Sequence, residues 1–361
     1  MRKILIIDDQ TLTIRALQEA LANVPAGAAV KISTIRINRT PSLTACSSSV
    51  REFYGSVAEF EAQAADADIL VVHKAPVTED VLEKAKNLQL IACARNNPVN
   101  VDLAAAARRG VMVINAPGRA GTATAELTVG LMLALARNIV RAGLLTGGAA
   151  GPAAWAYETR SSLEGTELKG KTAGIIGFGR IGKEVAEKLK AFGMHILVFS
   201  THAAPEEIKR SGARPAAFEE LLQKSDFVTL HPQLTEKNKK LIGEKQLGLM
   251  KKGAYLINTA RGKLVDEKAL YRALAEERIG GAALDVLEEE PPAPDNPLLG
   301  LKNVLITPHL GGKTREAPER AARLLTGDIR RFLAGERPVN IINLTTEDKR
   351  GQERIRKDKP G

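Results

Sequence analysis

The stretch that decides the fold is Gly174-Ile-Ile-Gly177-Phe-Gly179-Arg-Ile-Gly182. A short apolar run, predicted as a strand, precedes its first turn, and an amphipathic helical pattern, Arg180–Ala191, follows it. Gly177 permits a tight turn, Gly179 lets the backbone approach a ligand, and Gly182 allows the helix to pack closely on the strand. Because the N-terminus of such a helix attracts phosphate groups, the pattern predicts a Rossmann-type dinucleotide site.

The nature of the dinucleotide stays open at this stage. The fingerprint expects a carboxylate about 20 residues further on, to bind the ribose 2′-hydroxyl. The next predicted strand, His195–Phe199, is followed by Ser200-Thr201-His202, so no carboxylate stands there. An acid would repel a 2′-phosphate, and its absence admits NADP. Lys209 and Arg210 on the following helix are candidate partners for that phosphate, and the sequence leaves NAD and NADP as alternatives.

Short apolar runs alternate with helical patterns on both sides of this motif, a rhythm that is typical of parallel sheets. Long helical patterns cover Leu12–Val24, Ala123–Ala142 and Arg315–Ala334. The strands predicted are Lys3–Ile7, Val30–Ile37, Asp68–Val72, Leu88–Ala94, Val111–Ile114, Thr172–Ile176, His195–Phe199, Asp226–Leu230, Ala254–Ile257, Gly281–Leu284 and Val304–Ile306. We therefore expect two doubly wound α/β domains.

Length and composition agree with a globular protein. The 361 residues are 44% hydrophobic and 26% charged, which is enough to bury two cores. No run approaches the roughly 18 apolar residues of a membrane span, and the start, MRKILIIDD, has too short an apolar run for a secretory signal. We expect a cytoplasmic protein without a membrane partner. Cys46 and Cys93 are interpreted as reduced thiols, and they exclude a disulfide framework.

The net charge of +10 raises the question of a nucleic-acid partner. Basic residues are interleaved with acids along the chain, and aromatic residues are only 4%, too few for a platform on which bases stack. We therefore expect no nucleic-acid partner. The densest basic run, Lys349–Lys359, lies in a tail, residues 344–361, that we expect to be disordered.

A nicotinamide dinucleotide exchanges a hydride with its substrate, and the proton that accompanies the hydride needs an acid/base group, a role that suits histidine. Spacing alone does not choose among the five histidines, which are His73, His195, His202, His231 and His309.

Three further segments resolve this choice by resemblance. In residue type, order and separation they resemble the signature regions of the D-isomer-specific 2-hydroxyacid dehydrogenases, and the similarity extends from about Asp68 to Asn343. The segments are Asn258-Thr-Ala-Arg261-Gly262, Ala283-Leu-Asp285-Val-Leu-Glu-Glu-Glu290-Pro291 and Thr307-Pro-His309-Leu-Gly311-Gly312.

The resemblance implies specific roles for these residues. Arg261 would bind the substrate carboxylate, His309 would be the acid/base, and Glu290 would orient the imidazole. The reaction would move a hydride between NAD or NADP and a small D-2-hydroxy or 2-oxo acid. The residues implied for the cofactor are Gly177, Gly179, Arg180, Ile181, Gly182, Ser200, Thr259, Arg261, Asp285, His309, Gly311 and Gly312.

The resemblance also implies an interrupted architecture. A Rossmann nucleotide-binding domain, residues 118–308, would be inserted in a flavodoxin-like substrate domain formed by residues 1–117 and 309–343. The predicted helix Ala123–Ala142 and the loop with Trp155 would form the contact of a homodimer. We expect no regulatory domain after residue 343 and therefore no feedback control through such a domain.

The substrate is less constrained than the reaction. The family loop that wraps the substrate carboxylate reads here Arg95-Asn96-Asn97-Pro98, and His73-Lys74 stands where phosphoglycerate dehydrogenases show Arg-Ser. Lys74, Arg95, Asn96 and Asn97, with Arg261, are the candidate substrate-binding residues. D-3-phosphoglycerate is the first candidate, because Lys74, Arg95 and Arg119 are available for a phosphate. A glyoxylate or hydroxypyruvate reductase is the alternative.

Two other classes of protein share parts of this pattern. The family includes dinucleotide-sensing corepressors with the same fold and triad, and the sequence does not separate them from enzymes. The start Ile4-Leu-Ile-Ile-Asp8-Asp9 resembles the acid pair of a signalling receiver domain. A receiver also needs an aspartate at the end of its third strand, where this chain has His73-Lys74, so we set that class aside.

Overall fold

The computed structural model describes residues 1–10, 14–22, 29–39, 49–147 and 151–343. The chain divides into two compact units, of which the first comprises Met1–Arg119 and Thr314–Gly361 and the second Ala120–Lys313. The second unit is therefore inserted in the first, and it includes the segment from His309 to Lys313 that we expected in the substrate domain. Cys46 and the tail 344–361 lie outside the described residues.

The first unit is built on a parallel sheet of five strands with the order β2-β1-β3-β4-β5. This is the flavodoxin-like order, in which β1 and β3 form the switch point where the direction of winding changes. The strands are β1 (Arg2–Asp8), β2 (Val30–Arg36), β3 (Ile69–Val72), β4 (Leu90–Cys93) and β5 (Met112–Ile114). The helices are α1 (Ile14–Ala22), α2 (Glu61–Ala64), α3 (Glu79–Lys84) and α4 (Leu103–Arg108), with a 3-10 turn at Val57–Glu59.

Both faces of this sheet are covered, as strand periodicity requires. Leu5 and Ile7 of β1 pack in one apolar cluster with residues of α2, α3 and α4. Ile4 and Ile6, which point to the opposite face, pack in a second cluster with α1 and a later helix of the same unit. Strands buried on both faces read as continuous apolar runs, which is why β3 and β4 were recognisable in the sequence.

The second unit is built on a parallel sheet of seven strands with the order β12-β11-β10-β9-β6-β7-β8. Its strands are β6 (Thr172–Ile176), β7 (His195–Phe199), β8 (Arg214–Pro215), β9 (Phe227–Leu230), β10 (Tyr255–Asn258), β11 (Gly281–Leu284) and β12 (Val304–Ile306). Strands β8, β7, β6, β9, β10 and β11 follow the Rossmann order, with β6 and β9 at the switch point.

Helices cover the faces of this sheet, and short 3-10 turns lie at Gly151–Trp155, Glu236–Asn238, Gly262–Leu264 and Pro297–Gly300. The helices are α5 (Gly121–Ala136), α6 (Ile139–Gly147), α7 (Tyr157–Ser161), α8 (Arg180–Ala191), α9 (Pro205–Arg210), α10 (Phe218–Lys224), α11 (Glu244–Leu249) and α12 (Glu267–Ala275). The fold class is therefore the predicted one, two doubly wound parallel-sheet units with a Rossmann-type unit inserted in a flavodoxin-like one.

One predicted element is wrong. The helical pattern Ala123–Ala142 was expected to be continuous, but α5 and α6 are separate and bent by 65°. Asn138 has a φ of 52°, which ends the first helix, and its amide Nδ2 donates to the carbonyl oxygens of Leu163 at 3.2 Å and Glu164 at 3.1 Å. In the described part of the chain no single helix is long and apolar enough to cross a membrane; only this bent pair, taken together, reaches that length and composition.

The last described residues, up to residue 343, belong to the first unit. Helix α13 (Glu316–Leu333) packs on α1 and β4. The segment after α13 is held by Asp328, whose carboxylate accepts from the backbone of Val339 at 2.7 Å and Asn340 at 3.0 Å. Ile342 then donates to Val113 at 3.0 Å, so the return segment adds to the edge of the sheet beside β5.

Candidate active site

The glycine turn between β6 and α8 adopts the conformation that its sequence predicts. Gly177 has a φ of 91°, and a Cβ there would lie 2.7 Å from the nitrogen of Pro232. A Cβ on Gly182 would lie 2.2 Å from the carbonyl oxygen of Gly177. Both positions therefore exclude a side chain, one because of its backbone conformation and both because of close approach.

Gly179 differs, because an added Cβ would meet no atom within 4 Å. This glycine precedes the first turn of α8, a helix of 12 residues with no acidic residue in that turn. The space in front of the helix N-terminus is thus open, and it is bordered by backbone N–H groups that attract anions. These residues fit the pyrophosphate of a dinucleotide, and a side chain at Gly179 would fill the space that the phosphate needs.

The segment after β7 has no carboxylate, as the sequence indicated. The Ser200 hydroxyl accepts from the backbone N–H groups of His202 at 3.3 Å and Ala203 at 3.1 Å, which closes a tight turn. Thr201 and His202 are exposed beside it, with Oγ1 and Nδ1 2.9 Å apart. Hydroxyl and imidazole groups therefore stand where an NAD-selective fold places an acid.

His309 and Glu290 form a hydrogen-bonded pair. Nδ1 of His309 lies 2.7 Å from Oε2 of Glu290, and the two side chains are 52% and 38% exposed. The other carboxylate oxygen, Oε1, accepts from the backbone of Leu287 at 3.2 Å, so Glu290 is itself oriented. With Nδ1 engaged, the Nε2 atom of the ring is the one left to meet a substrate.

Asp285 fixes the loop that carries His309. It follows β11, is 1% exposed, and accepts from the Thr307 hydroxyl at 2.6 Å, from the Leu310 backbone at 2.6 Å and from the Gly311 backbone at 2.8 Å. Its carbonyl oxygen accepts from the backbone of His309 at 3.0 Å. His309 is held at a φ of 54°, a left-handed conformation that a free loop would seldom adopt.

This positioning role of Asp285 was missed in the sequence, although an acid directly after a buried strand is a usable signal. Gly311 is part of the same arrangement, because a Cβ there would lie 3.1 Å from Oδ2 of Asp285. Contacts of Asp285, Gly311 and Gly312 with the cofactor remain predictions.

Arg261 is positioned by its neighbours in the chain. Asn258, the last residue of β10, donates from Nδ2 to the Arg261 carbonyl at 2.9 Å and accepts at Oδ1 from Ala260 at 3.0 Å. A Cβ on Gly262 would lie 1.9 Å from the carbonyl carbon of Leu287, so this turn packs directly against the segment that leads to Glu290.

The Arg261 guanidinium is available for a ligand. The residue is exposed, and its Nη1 donates to the carbonyl oxygen of Ala260 at 2.7 Å. Within the described ranges it forms no ion pair with a carboxylate. Thr259, by contrast, is 6% exposed, and its hydroxyl lies 2.8 Å from that of Thr128 on α5, which itself donates to Thr124 at 2.8 Å. Thr259 therefore acts as the donor to Thr128.

The candidate substrate residues of the first unit follow β3 and β4. Nζ of Lys74 donates to the Tyr54 hydroxyl at 3.0 Å and lies 4.2 Å from the centre of that ring. Arg95 donates to the carbonyl oxygen of Glu52 at 2.8 Å and pairs with its carboxylate.

The two asparagines of the same loop are exposed. Asn96 accepts at its carbonyl from Asn115 at 2.6 Å and at Oδ1 from the Gly118 backbone at 3.3 Å. Asn97 contributes its carbonyl to a turn closed by Val99 at 3.0 Å. These hydrogen bonds fix the loop, and the side chains of both asparagines are exposed on it.

Two groups, the buried Cys93 and the half-buried His231, have strongly shifted pKa values. Cys93 is a free, buried thiol, and burial raises its pKa to about 11, so it is protonated and inert at neutral pH. Burial lowers the pKa of His231 to about 3, and its Nδ1 has no hydrogen-bond partner among the described residues. His231 follows β9 at the switch point, next to the glycine turn.

Within the part of the chain that the structure describes, no group of His, Cys, Asp and Glu side chains could hold a metal ion.

Comparison with known proteins identifies the family to which the chain belongs. Residues 129–311 match the sequence model of the D-isomer specific 2-hydroxyacid dehydrogenase, NAD binding domain. The chain is 45% identical over 299 residues to the D-3-phosphoglycerate dehydrogenase of Methanocaldococcus jannaschii, an alignment that covers 82% of this chain and 55% of that protein. It is 43% identical over 267 residues to the glyoxylate reductase of Thermococcus litoralis, covering 74% and 80%.

Solved structures agree with the fold. The crystal structure of the TT0316 protein from Thermus thermophilus superposes with a TM-score of 0.77 at 33% identity, covering 94% of this chain and 99% of that one. The chain spans about half the length of the first two phosphoglycerate dehydrogenases it matches, 55% and 51%. It covers 80% of the glyoxylate reductase. With a family model matched over half of its residues, the chain belongs to the D-isomer specific 2-hydroxyacid dehydrogenase family.

Proposed function

We propose that the protein is an NAD(P)-dependent dehydrogenase that interconverts a D-2-hydroxy acid and the corresponding 2-oxo acid. The observation that supports this most directly is the His309–Glu290 pair, 2.7 Å apart in the same unit as the glycine turn. This reaction needs an oriented imidazole, a guanidinium that is available to a carboxylate and an open helix N-terminus, and the second unit has all three.

The chemistry divides between cofactor and protein. A bound reduced nicotinamide supplies the hydride. The protein's contribution is the proton, which His309 donates from Nε2 to the carbonyl oxygen while Glu290 holds Nδ1. Arg261 binds the substrate carboxylate with its planar fork and thereby orients the 2-oxo group. In the oxidative direction His309 accepts the hydroxyl proton from the same position.

The two units take different parts in this proposal. The second unit binds the dinucleotide and provides the three catalytic residues. The first unit is the substrate domain, with Lys74, Arg95, Asn96 and Asn97 as its binding residues. The loop of Asn96 and Asn97 follows β4, at the carboxyl edge of the sheet where open α/β sheets bind their ligands.

The relatives name two substrate classes for the same fold. D-3-phosphoglycerate dehydrogenase is the name of the relative that is 45% identical, and we take phosphoglycerate as the first candidate. Glyoxylate reductase and hydroxypyruvate reductase are the names of relatives that are 43% and 40% identical, so a small unphosphorylated oxo acid is the second candidate.

A spectrophotometric panel tests the proposal. Purified protein is assayed for oxidation of NADH and of NADPH in the presence of glyoxylate, hydroxypyruvate and phosphohydroxypyruvate. We expect turnover with at least one pair. Absence of turnover with every pair, in protein that still binds the dinucleotide, would favour a dinucleotide-sensing regulator instead.

We further propose that the protein is a homodimer. Three large side chains of α6 and the following segment are mostly exposed, namely Leu144 (72%), Trp155 (73%) and Tyr157 (80%). An apolar surface of this kind is typical of a contact between two copies. Light scattering after gel filtration should give twice the chain mass, and Leu144→Glu with Trp155→Glu should give the monomer. A wild-type monomer would contradict the proposal.

A further inference from the structure

Helix α5 carries two threonines on the face that packs on the sheet of the second unit. Thr124 and Thr128 are one helical turn apart, so their side chains lie on the same side of the helix. They are 6% and 0% exposed, and the helix contacts β10 and β11. A buried hydroxyl is unfavourable unless it is hydrogen-bonded, so the partners of these two threonines indicate their role.

Thr124 binds the loop that carries His309. Its hydroxyl lies 2.9 Å from the carbonyl oxygen of Ala120, one turn earlier in the chain, and 3.0 Å from the carbonyl oxygen of the buried Gly311. Ala120 already accepts from the backbone N–H of Thr124 at 2.9 Å. Within the described part of the chain, the Thr124 hydroxyl is the only hydrogen-bond donor to the Gly311 carbonyl. Without it, a buried carbonyl oxygen two residues after His309 would be unpaired.

Gly311 is therefore held at both of its backbone polar groups. Its N–H donates to Asp285 at 2.8 Å, and its carbonyl oxygen accepts from Thr124. A Cβ on Gly311 would lie 3.3 Å from Oγ1 of Thr124, so the threonine also packs closely against the loop. The left-handed backbone of His309, at a φ of 54°, is thus followed at once by a segment that two buried side chains fix.

Thr128 binds the loop that carries Arg261. Its hydroxyl donates to the carbonyl oxygen of Thr124 at 2.8 Å and accepts from the hydroxyl of Thr259 at 2.8 Å. Thr259 is 6% exposed and directly follows Asn258, the last residue of β10, two positions before Arg261. The substitution Thr128→Val would keep the apolar packing but would leave the buried Thr259 hydroxyl without this acceptor.

We define the threonine series as the hydroxyl groups of Thr124, Thr128 and Thr259. A threonine in a helix commonly bonds only the carbonyl oxygen one turn earlier, which needs no partner outside the helix. The threonine series differs, because both of its ends leave α5. One end lies two residues before Arg261 and the other is bonded two residues after His309. One turn of α5 therefore connects the loops of two candidate catalytic side chains.

We propose that Thr124 and Thr128 are positioning residues, which fix His309 and Arg261 relative to each other through α5. The inference rests on the function proposed above, in which the imidazole and the guanidinium act on the same oxo acid and must be held at a defined separation. The hydrogen bonds described in the preceding subsections fix each of the two loops locally. The threonine series ties both loops to one helix, and this sets the distance between the two side chains.

Two valine substitutions separate the two ends of the threonine series. Thr124→Val should lower kcat about 10-fold and leave KM for the oxo acid within about threefold of wild type, because the loop of His309 shifts while the carboxylate site is kept. Thr128→Val should raise that KM about 10-fold with a smaller change in kcat, because Arg261 is displaced. Thr124→Ser and Thr128→Ser keep the hydroxyl groups and should restore both constants to within about threefold.

Thr326→Val is the matched control. Thr326 of α13 is 5% exposed, and its hydroxyl donates to the carbonyl oxygen of Ala322, one turn earlier in the helix, at 2.8 Å. It lies in the first unit, so its loss should lower Tm without changing kcat or KM. If Thr124→Val and Thr128→Val also lowered Tm alone, their role would be structural and the proposal would be overturned. Equal kinetic changes in all three valine variants would overturn it as well.

A measurement without turnover keeps this test separate from that of the proposed function. Amide hydrogen exchange of Leu310 and Gly311, which both donate to Asp285, is followed by NMR in the full chain. Thr124→Val should speed the exchange of these two amides about 10-fold or more, and Thr326→Val should leave it unchanged.

Unchanged exchange in Thr124→Val would overturn the positioning of the His309 loop, whatever the activity of the variant. If no oxo acid is reduced by the wild-type chain, the proposed function fails. Faster exchange in Thr124→Val would in that case still support the role of this threonine in fixing the loop.

Discussion

The two units each contain a carboxylate–imidazole pair of almost equal length in very different surroundings. Asp9 and His73 of the first unit are 2.9 Å apart and nearly inaccessible to water, whereas Glu290 and His309 of the second unit are 2.7 Å apart and about half exposed. Both histidines follow strands of parallel sheets. The two pairs have the same chemical groups and similar distances. Their different roles must therefore come from burial and from the group that the Nε2 atom of each histidine faces.

Burial decides whether such a pair can exchange a proton. An interior imidazole is held neutral, and its free nitrogen already accepts from Arg119, so it acts as a fixed hydrogen-bond acceptor. The exposed imidazole of His309 has an Nε2 that is open to a substrate, which is the requirement for a general acid. An acid–histidine pair can therefore serve as a general acid only where its outer nitrogen is accessible to a substrate.

The largest expected effect comes from removing the accessible imidazole. His309→Gln should lower kcat by about 10²- to 10⁴-fold with little change in dinucleotide affinity, because general acid catalysis is lost and the glycine turn is untouched. Steady-state kinetics with the best oxo acid and a dinucleotide titration measure both quantities. His195→Gln, at the exposed start of β7, is the matched control. Turnover of His309→Gln within threefold of wild type would remove His309 from the mechanism.

The next prediction applies the same change, from carboxylate to amide, to Glu290 and to Asp9. Glu290→Gln should lower kcat by about 10- to 10²-fold, because an amide no longer fixes which nitrogen of His309 bears the proton. Asp9→Asn should instead lower the free energy of unfolding by about 1–3 kcal/mol, since a buried charge-assisted hydrogen bond is weakened. Steady-state kinetics and urea titrations of both variants test whether one loses turnover and the other stability. If Glu290→Gln lost stability and kept its turnover, the contrast between the pairs would be wrong.

A smaller effect is expected on cofactor choice, a property of the second unit alone. Ser200→Asp should shift the ratio of kcat/KM for NADH over NADPH about 10-fold toward NADH, because a carboxylate accepts from a ribose 2′-hydroxyl and repels a 2′-phosphate. Ser200→Asn, which keeps size without charge, is the control. NADPH use that is unchanged in Ser200→Asp would mean that residue 200 does not face the ribose.

The parts of this picture that the sequence predicted are those encoded locally. The glycine turn and the apolar runs of β3 and β4 are contiguous, so spacing and residue type were sufficient for them, whereas the three signature segments were identified by their resemblance to the family. The break at Asn138 was missed because it depends on carbonyl groups of Leu163 and Glu164, about 25 residues away. The Asp9–His73 pair joins residues 64 positions apart, and no local pattern reports whether such a contact is buried.

The last expected effect concerns how acid acts on each unit, since each contains a histidine whose pKa is lowered by burial, the buried His73 and the half-buried His231. The pKa of His73 is lowered by burial, and that of His231 is lowered to about 3 by burial. In both cases the unfolded chain binds a proton near pH 6.5 that the folded chain does not bind until lower pH. Stability is therefore fully present above pH 6.5, and it falls as the pH is lowered below that value.

Urea titrations at pH 7 and pH 5 measure this loss. One histidine whose folded pKa lies well below 5 lowers the free energy of unfolding by about 2 kcal/mol when the pH falls from 7 to 5. His231→Gln should therefore lose about 2 kcal/mol less of this free energy than wild type. For His73→Gln the difference from wild type should be smaller than for His231→Gln. Thr229→Val removes the hydroxyl 3.0 Å from Nε2 of His231 but keeps the titrating ring, so it should retain the steep dependence. Parallel losses in wild type and both glutamine variants would show that neither imidazole is held neutral, and the distinction drawn between the buried pair and the exposed one would then have no electrostatic basis.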